Sequence, residues 1–301
     1  MTSRQTDLRE GGGVPREQRG PRLRARLRDS RRALARSRFA RAAALPSRVA
    51  TVVRHDAAII GTSARWLVTS REHTNFTYDL TPLSREHLAW FVSEVSRVPV
   101  SRVRTYFAEL DADDRLRTHI ERRCASAARH GLADKAARYG RRIGWYAMVR
   151  ARAPALVVEA GVDKGLGTCV MASALLRNAD EGRPGRLLSI DVNPDAGYLV
   201  AGSPWSGVVD LVTEDSLHAL PRIDELVDLF LHDSDHAPAH EAAELDAIEP
   251  HMAPGGLLLS DNAMVTNVLA EHAETTARRF LAFRETPADH WFPGEGVGAA
   301  W

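Results

Sequence analysis

The sequence predicts an α/β protein with a doubly wound, mostly parallel sheet and a helical cap region ahead of it. Two observations predict this fold. From residue 155 onward, short runs rich in Leu, Val and Ile alternate with segments of helical spacing, as expected of strands buried on both faces by helices. Before residue 150 the pattern is helical almost throughout. Open α/β sheets bind ligands beyond the carboxyl ends of their strands, so we expect function there.

The strands follow from the apolar runs. The candidate parallel strands are residues 155–159, 186–191, 208–213, 226–232 and 256–260. The end of the chain, RRFLAFRET followed by DHWFPGEGVGAAW, adds two strands joined by an aromatic, Pro/Gly-rich loop. The sheet is therefore expected to have seven strands.

Three helices are predicted in the cap region and at its border with the sheet. Ser84 precedes an amphipathic segment, REHLAWFVSEV, and is expected to cap it. Residues 113–128 and 134–152 have a similar pattern. The loop HTNFTYDLTP carries the polar candidates His73, Asn75, Tyr78 and Asp79. We predict three segments: an Arg-rich arm over residues 1–50, the helical cap over 51–135 and the sheet domain over 136–301.

Charge is distributed unevenly along the chain. Of its 301 residues 44% are hydrophobic and the net charge is +1, but residues 1–50 hold 14 arginines against 4 acids. Such an arm is typical of a partner-packing or solvated helix, or of a nucleic-acid contact. No segment resembles a signal peptide or a membrane span, so a cytoplasmic location is expected. Cys124 and Cys169 are too few for a disulfide framework and are expected to be reduced packing residues.

Acids and glycines follow the first three strands. Glu159, Gly161 and Gly165 lie in EAGVDKG, where glycine lets the chain turn and a ligand approach. The spacing is not the GxGxxG of dinucleotide-binding enzymes. Asp191 ends the second strand, where a carboxylate can accept both hydroxyls of a ribose. Asp215 and Ser216 follow the third strand, suitably placed for an adenine amine.

A second group of polar residues follows the last two parallel strands. Asp233 and Asp261 each end a strand, and Asn262 follows Asp261. If these strands are neighbours, their ends lie about 4.8 Å apart, and hard oxygen ligands of this type favour Mg²⁺ or a similar cation. His236 is a candidate base at the rim of this site, or a histidine merely bonded to a neighbouring aspartate. His232 and His240 are expected to belong to the strand and to the next helix.

Together, the segments VVEAGVDKG, LLSIDVNPD, HDSDH and LLLSDNA resemble the class I S-adenosylmethionine-dependent methyltransferases, and more narrowly the metal-dependent small-molecule O-methyltransferases of the catechol, caffeoyl-CoA and macrocin types. The resemblance covers residues 139–301. It implies that the methionine part lies over the turn from Glu159 to Gly165. Asp163 departs from the wider superfamily, which commonly has glycine there.

The resemblance also implies roles for the other candidates. Asp191 would hold the ribose, Asp215 and Ser216 would contact the adenine, and Asp233, Asp261 and Asn262 would bind the metal. His236 stands where macrocin-type relatives have a basic histidine and catechol-type relatives a lysine.

The reaction expected from this resemblance is methylation of a hydroxyl on a small molecule, of the natural-product tailoring kind. His236 would accept the proton, with Asp233 and the cation beside it. His290, Trp291 and Phe292 are candidates for the wall of the acceptor pocket, and the N-terminal helices for a homodimer surface. Two alternatives are a nicotinamide-dependent oxidoreductase on the same sheet and a nucleic-acid-binding or nucleic-acid-modifying protein that uses the basic arm.

Overall fold

A computed structural model of the chain describes residues 40–72, 74–126, 134 and 136–301. The chain divides into two compact units, Met1–Gly61 and Thr62–Trp301. These bounds differ from the predicted segment ends at residues 50 and 135. Most of the predicted Arg-rich arm, and His73, lie outside the described residues.

The first unit contains helix α1 (Ala40–Ala43) and the beginning of α2 (Leu45–Thr69). The boundary between the units falls within α2. No residue of either helix is buried, and the exposed apolar side chains of α2 include Val49, Val52, Val53 and Ile60.

The second unit carries the remaining elements. Its further helices are α3 (Pro82–Ser96), α4 (Val100–Asp111), α5 (Asp114–Ser126), α6 (Arg142–Arg152), α7 (Leu166–Asp180), α8 (Ser216–Ala219), α9 (Pro238–Ile248) and α10 (Val268–Thr275). Its strands are β1 (Asp79–Leu80), β2 (Leu156–Ala160), β3 (Arg186–Asp191), β4 (Val209–Thr213), β5 (Val227–His232), β6 (Met252–Asp261), β7 (Phe280–Phe283), β8 (Pro287–Ala288) and β9 (Val297–Ala300). Short 3₁₀ turns cover Ser206–Val208, Leu220–Arg222 and Glu249–His251.

Seven strands form one sheet in the order β4-β3-β2-β5-β6-β9-β7. The first five are parallel, and β9 pairs antiparallel with both β6 and β7. This confirms the predicted doubly wound, mostly parallel, seven-stranded sheet. The strand order reverses between β2 and β5, so the carboxyl ends of these two strands meet at the switch point where such sheets open into a ligand site.

Side chains from alternate positions of each strand enter two separate cores. From β5, Leu229 and Leu231 join the core that contains Trp145 of α6, whereas Phe230 joins the core that contains Leu245 of α9. Because successive side chains in a strand point to opposite faces, a continuous apolar run fills both layers. Helix α6 is buried from Arg142 to Arg150.

Two helix beginnings differ from the sequence prediction. Helix α3 begins at Pro82, and its cap is Thr81, whose side chain accepts a hydrogen bond from the Ser84 amide. Proline suits the first turn because its missing N–H would lack a helical partner there. Helix α6 begins at Arg142 rather than near residue 134, after Gly140 at a φ of 52°. The predicted helix over 113–128 is observed as α5, and residues 127 and 128 lie outside the described part.

Several further expectations can be compared with the structure. Cys124 and Cys169 are free and buried, which confirms that they are packing residues. In the part of the chain that the structure describes, no helix is long and apolar enough to cross a membrane. The pairing of β1 with β8 was not predicted, since both strands have only two residues.

Candidate active site

The turn after β2 is shaped by glycine. Gly161 has a φ of 91°, and a Cβ added to it would lie 2.0 Å from the carbonyl oxygen of Asp233. The Asp233 amide donates to the Ala160 carbonyl at 2.8 Å, so the ends of β2 and β5 are in direct contact. Asp163 also has a positive φ, 47°, at the position where the wider superfamily commonly has glycine. With Gly165 at a φ of 88°, the turn therefore has left-handed backbone at three positions, of which two are glycine.

Asp191 holds this turn against the end of β3. One of its carboxylate oxygens accepts hydrogen bonds from the amides of Val162 and Asp163, at 2.8 and 3.0 Å. The other accepts from the Asn193 amide at 2.8 Å. Three amides thus orient the carboxylate, which faces a cavity.

Glu159 is buried instead of facing the cavity. Its side chain is 1% exposed, and one carboxylate oxygen accepts hydrogen bonds from Thr168 and Ser189, both at 2.7 Å. Burial raises the pKa of Glu159 to about 7, although both hydroxyls act in the opposite direction. Gly165, at the start of α7, also lies outside the cavity wall, and a Cβ on it would contact Val200. The structure therefore places these two predicted cofactor residues behind the wall of the cavity.

The next pair, Asp215 and Ser216, borders the cavity with side chains that already have partners. Asp215 caps α8 by accepting from the Leu217 amide at 2.9 Å. Ser216 donates to Glu244, which also bonds His232 at 2.6 Å and His240 at 3.0 Å. His232 and His240 therefore belong to a buried network centred on Glu244, a residue that the sequence did not single out.

Asp233 directly follows β5 and Asp261 ends the neighbouring strand β6. His236 lies close to the first of them, with its Nε2 atom 3.9 Å from Asp233 Oδ1. Burial and the adjacent Asp261 carboxylate raise the pKa of Asp233 well above its ordinary range. Burial lowers the pKa of His236, so its imidazole is neutral and able to accept a proton near pH 7.

Arg141, immediately before α6, binds the other carboxylate. Its Nε and Nη2 atoms donate to the two oxygens of Asp261, and Nη2 also donates to Asn262 Oδ1 at 2.7 Å. Its Nη1 atom donates to the Tyr78 hydroxyl at 2.6 Å and to Glu285 at 2.9 Å. Burial by itself raises the pKa of Asp261, but Arg141 outweighs this effect and brings it to about 2.

These strand ends surround a cavity of about 550 Å³. The predicted residues that line it are Gly161, Asp191, Asp215, Ser216, Asp233, His236 and Asn262. Asp261 is 2% exposed and lies behind them. A volume of this size is typical of cofactor and small-molecule sites. One cavity therefore joins the first group of predicted residues, around Asp191, to the second, around Asp233.

The candidate loop residues have different environments. Asn75 lines the cavity, and Tyr78 is buried and hydrogen bonded to Glu285 at 2.5 Å. Asp79 is in β1. His290, Trp291 and Phe292 do not line this cavity; they pack with Trp66, Phe76 and Tyr78 in an aromatic cluster.

Arg141 and Glu285, the two partners of the loop candidate Tyr78, form the part of the site that sequence reasoning missed. The signal in the sequence was weak but present: YGRRIGWY places two arginines directly before an apolar helix, and RRFLAFRET ends an apolar strand with an acid. A charged residue in an apolar run needs a partner when it is buried. The sequence does not say which partner that is.

The predicted metal ligands Asp233, Asp261 and Asn262 lie close together but are not all free to bind an ion. One ligand atom from each of Asp233, His236 and Asp261 lies within 4.8 Å of the others, a spacing that a metal ion could use. However, both oxygens of Asp261 and the side-chain oxygen of Asn262 accept hydrogen bonds from Arg141. A positive guanidinium on these oxygens repels a cation. The residues as arranged do not fit the predicted divalent cation.

Residues 158–263 match the model of a family described as a methyltransferase domain. The comparison with curated protein sequences gave no match.

Similar solved structures include the O-methyltransferase TomG from Streptomyces achromogenes, with 16% identity, a TM-score of 0.47, and coverage of 60% of this chain and 88% of that one. The methyltransferase PaMTH1 from Podospora anserina has 14% identity and a TM-score of 0.44, over 62% and 87% of the two chains. A methyltransferase from Geobacter sulfurreducens has 20% identity and a TM-score of 0.44, over 64% and 92%.

The matched segment contains every strand end that builds the cavity, from Gly161 to Asn262. It also contains the four sequence segments that carry the resemblance, apart from the first residue of the first. Residues 158–263 therefore match a methyltransferase domain, as the sequence segments within them predicted.

Proposed function

We propose that this methyltransferase transfers its methyl group to a hydroxyl oxygen of a small organic molecule. The observation that carries the proposal is the position of His236, which lines the same cavity as Asp191 and stands 3.9 Å from Asp233. A neutral imidazole near the reacting oxygen is the group that a hydroxyl acceptor requires, because a phenol with a pKa of about 10 is mostly protonated in the cell.

The cofactor end of the cavity would be formed by the turn after β2 and by Asp191. S-adenosylmethionine, when bound, supplies an electrophilic methyl group. Asp191 accepts hydrogen bonds from three amides, which leaves about one of its four lone-pair sites to accept a hydroxyl of a ribose. Gly161 brings the backbone close to the cavity without a side chain. Asp215 and Ser216 would border the adenine through their backbone, since their side chains bond Leu217 and Glu244.

At the other end His236 would accept the proton of the acceptor hydroxyl. Asp233, also in the cavity wall, lies 3.9 Å from the Nε2 atom of His236 and would border the reacting oxygen beside it. Positioning of the oxygen behind the methyl group would supply much of the remaining acceleration. The divalent cation predicted from the sequence is left out of this proposal, because Arg141 already binds Asp261 and Asn262.

Calorimetric titration and product analysis test the proposal. We expect the chain to bind S-adenosylmethionine and not NAD, and a panel of phenols, sugars and amino-acid-derived alcohols with labelled methyl donor to yield an O-methyl product. Asp191→Ala should weaken cofactor binding, whereas Asp195→Ala, at an exposed neighbouring aspartate, should not. A product methylated on nitrogen or carbon, or binding of NAD alone, would overturn the proposal.

The remaining predictions from the sequence, on location, biological role, oligomeric state and nucleic-acid binding, stay proposals, and the last two have direct tests. A cytoplasmic location and a role in natural-product tailoring follow from the sequence only. A homodimer through the N-terminal helices predicts a doubled mass in light scattering. The nucleic-acid alternative predicts binding that weakens steeply with salt and disappears when residues 1–48 are deleted.

A further inference from the structure

Arg141 has every donor of its side chain occupied. The five N–H groups of a guanidinium meet five acceptors here: both oxygens of Asp261, the side-chain oxygen of Asn262, the hydroxyl of Tyr78 and one oxygen of Glu285. The side chains of Arg141, Asp261 and Glu285 are 7%, 1% and 0% exposed. The arginine is thus locked in a buried network.

Both oxygens of Glu285, the other carboxylate of this network, have hydrogen-bond partners besides Arg141. The second oxygen of Glu285 accepts from the Gly296 amide at 2.8 Å, and its first oxygen also accepts from Tyr78 at 2.5 Å. Releasing Arg141 would leave two buried carboxylates without their counter-charge, which is strongly unfavourable. Replacement of the guanidinium by a hydrated cation is therefore unfavourable, because neither Asp261 nor Glu285 would keep its buried partner.

The same network removes the oxygen ligands that a hard cation needs. Mg²⁺ binds oxygen at about 2.1 Å and demands near-octahedral geometry. Of the predicted ligands only Asp233 is free of Arg141, and a single carboxylate with the nearby His236 nitrogen is a poor site for such an ion.

We propose that Arg141 takes the place of the divalent cation beside Asp261 and Asn262, so that this site binds no Mg²⁺ or Mn²⁺ and methyl transfer proceeds without one. Arg141 acts as a positioning residue: it has no donor left for a substrate and holds Asn262 in the cavity wall. Only the statement about methyl transfer rests on the proposed function. The statement about metal binding stands without it.

Manganese binding, followed by electron paramagnetic resonance of free Mn²⁺, tests the proposal independently of activity. Five proteins are compared: wild type, Asp261→Asn, Arg141→Lys, Arg141→Met, and Arg141→Met with Asp261→Asn. Wild type and the lysine variant, which keeps the positive charge, should bind no Mn²⁺ at this site. The methionine variant frees the oxygens and should bind it at least about tenfold more tightly than wild type. Adding Asp261→Asn should abolish that gain.

Circular dichroism and a cooperative urea transition of each variant report whether the domain is folded. The proposal is overturned if wild type binds one Mn²⁺ that Asp261→Asn removes, or if folded Arg141→Met shows no gain. Should the methionine variant fail to fold, the wild-type titration alone decides.

The activity measurement forms a separate arm. With an acceptor found in the panel, wild type should turn over at the same rate in EDTA and in added Mg²⁺. Loss of activity in EDTA that Mg²⁺ restores would overturn the proposal. Failure to find any acceptor would count against the proposed function and leave the result of the manganese titration intact.

Discussion

Replacing Glu159 by Gln should stabilise the domain at high pH and not at low pH. Glu159 is buried, and burial raises its pKa from the ordinary value of 4.5 to about 7. An acid whose pKa is raised on folding adds stability that is complete below pH 4.5 and is lost as the pH rises through 7. At about 1.4 kcal/mol per pKa unit, the loss amounts to about 3 kcal/mol. Gln cannot ionise, and its carbonyl oxygen can still accept from Thr168 and Ser189.

Urea denaturation of the cofactor-free protein, followed by tryptophan fluorescence at about pH 4.5 and about pH 8.5, measures this difference. Glu159→Gln should be more stable than wild type at the higher pH by about 3 kcal/mol and similar at the lower pH. Glu244→Gln is the matched control. Burial raises the pKa of Glu244, but hydrogen bonds from His232 and two serines outweigh it and the pKa is lowered. Its Gln variant should therefore lose stability where the carboxylate is charged.

The sign of the pH dependence decides the outcome. If Glu159→Gln changes stability equally at both pH values, the pKa of Glu159 does not change on folding and the inferred shift is wrong. If the variant is less stable at about pH 8.5, the carboxylate is held charged by its partners and the inferred direction is wrong.

Three further predictions concern the turn and the base. Gly161→Ala should lower the free energy of unfolding, measured by urea denaturation, by more than about 3 kcal/mol, because its Cβ would lie 2.0 Å from the Asp233 carbonyl oxygen. Gly182→Ala is the control: Gly182 has a similar positive φ and nothing within 4 Å, so this variant should lose only about 1–2 kcal/mol. Equal losses in the two variants would refute the clash. Asp163→Gly should change the free energy of unfolding by less than about 1 kcal/mol, because the left-handed backbone at a φ of 47° suits glycine; a loss above about 2 kcal/mol would show that the carboxylate has a structural partner. His236→Ala should lower kcat by roughly 10²–10⁴-fold near pH 7, because burial lowers the pKa of His236 and keeps the imidazole neutral as a base. The loss should shrink as the pH approaches the pKa of the acceptor hydroxyl, which then ionises without a base. A wild-type to variant ratio of kcat that stays constant over pH would count against the role of His236 as base.

The sequence was informative wherever one element carries the signal. Five apolar runs matched β2 to β6 to within a few residues, because strands buried on both faces are uniformly apolar and end at polar residues. The acids at those ends were found for the same reason, and the parallel order of the strands then brought Asp191 and Asp233 to one edge. Helix beginnings were less well predicted, since Thr81 and Ser84 are both plausible caps and only the backbone decides between them.

By itself, the sequence determined the layered fold and the cavity edge, both of which follow from patterns within short segments. Only the tertiary structure decided which charged side chains contact each other. Arg141 and Asp261 are 120 positions apart, and Glu285 joins them from another strand end. Coulomb attraction and burial act through space, so the counter-charge of a buried carboxylate can come from any part of the chain. That is why Asp261 and Asn262 suggested a metal ion in the sequence and are bound to an arginine in the structure.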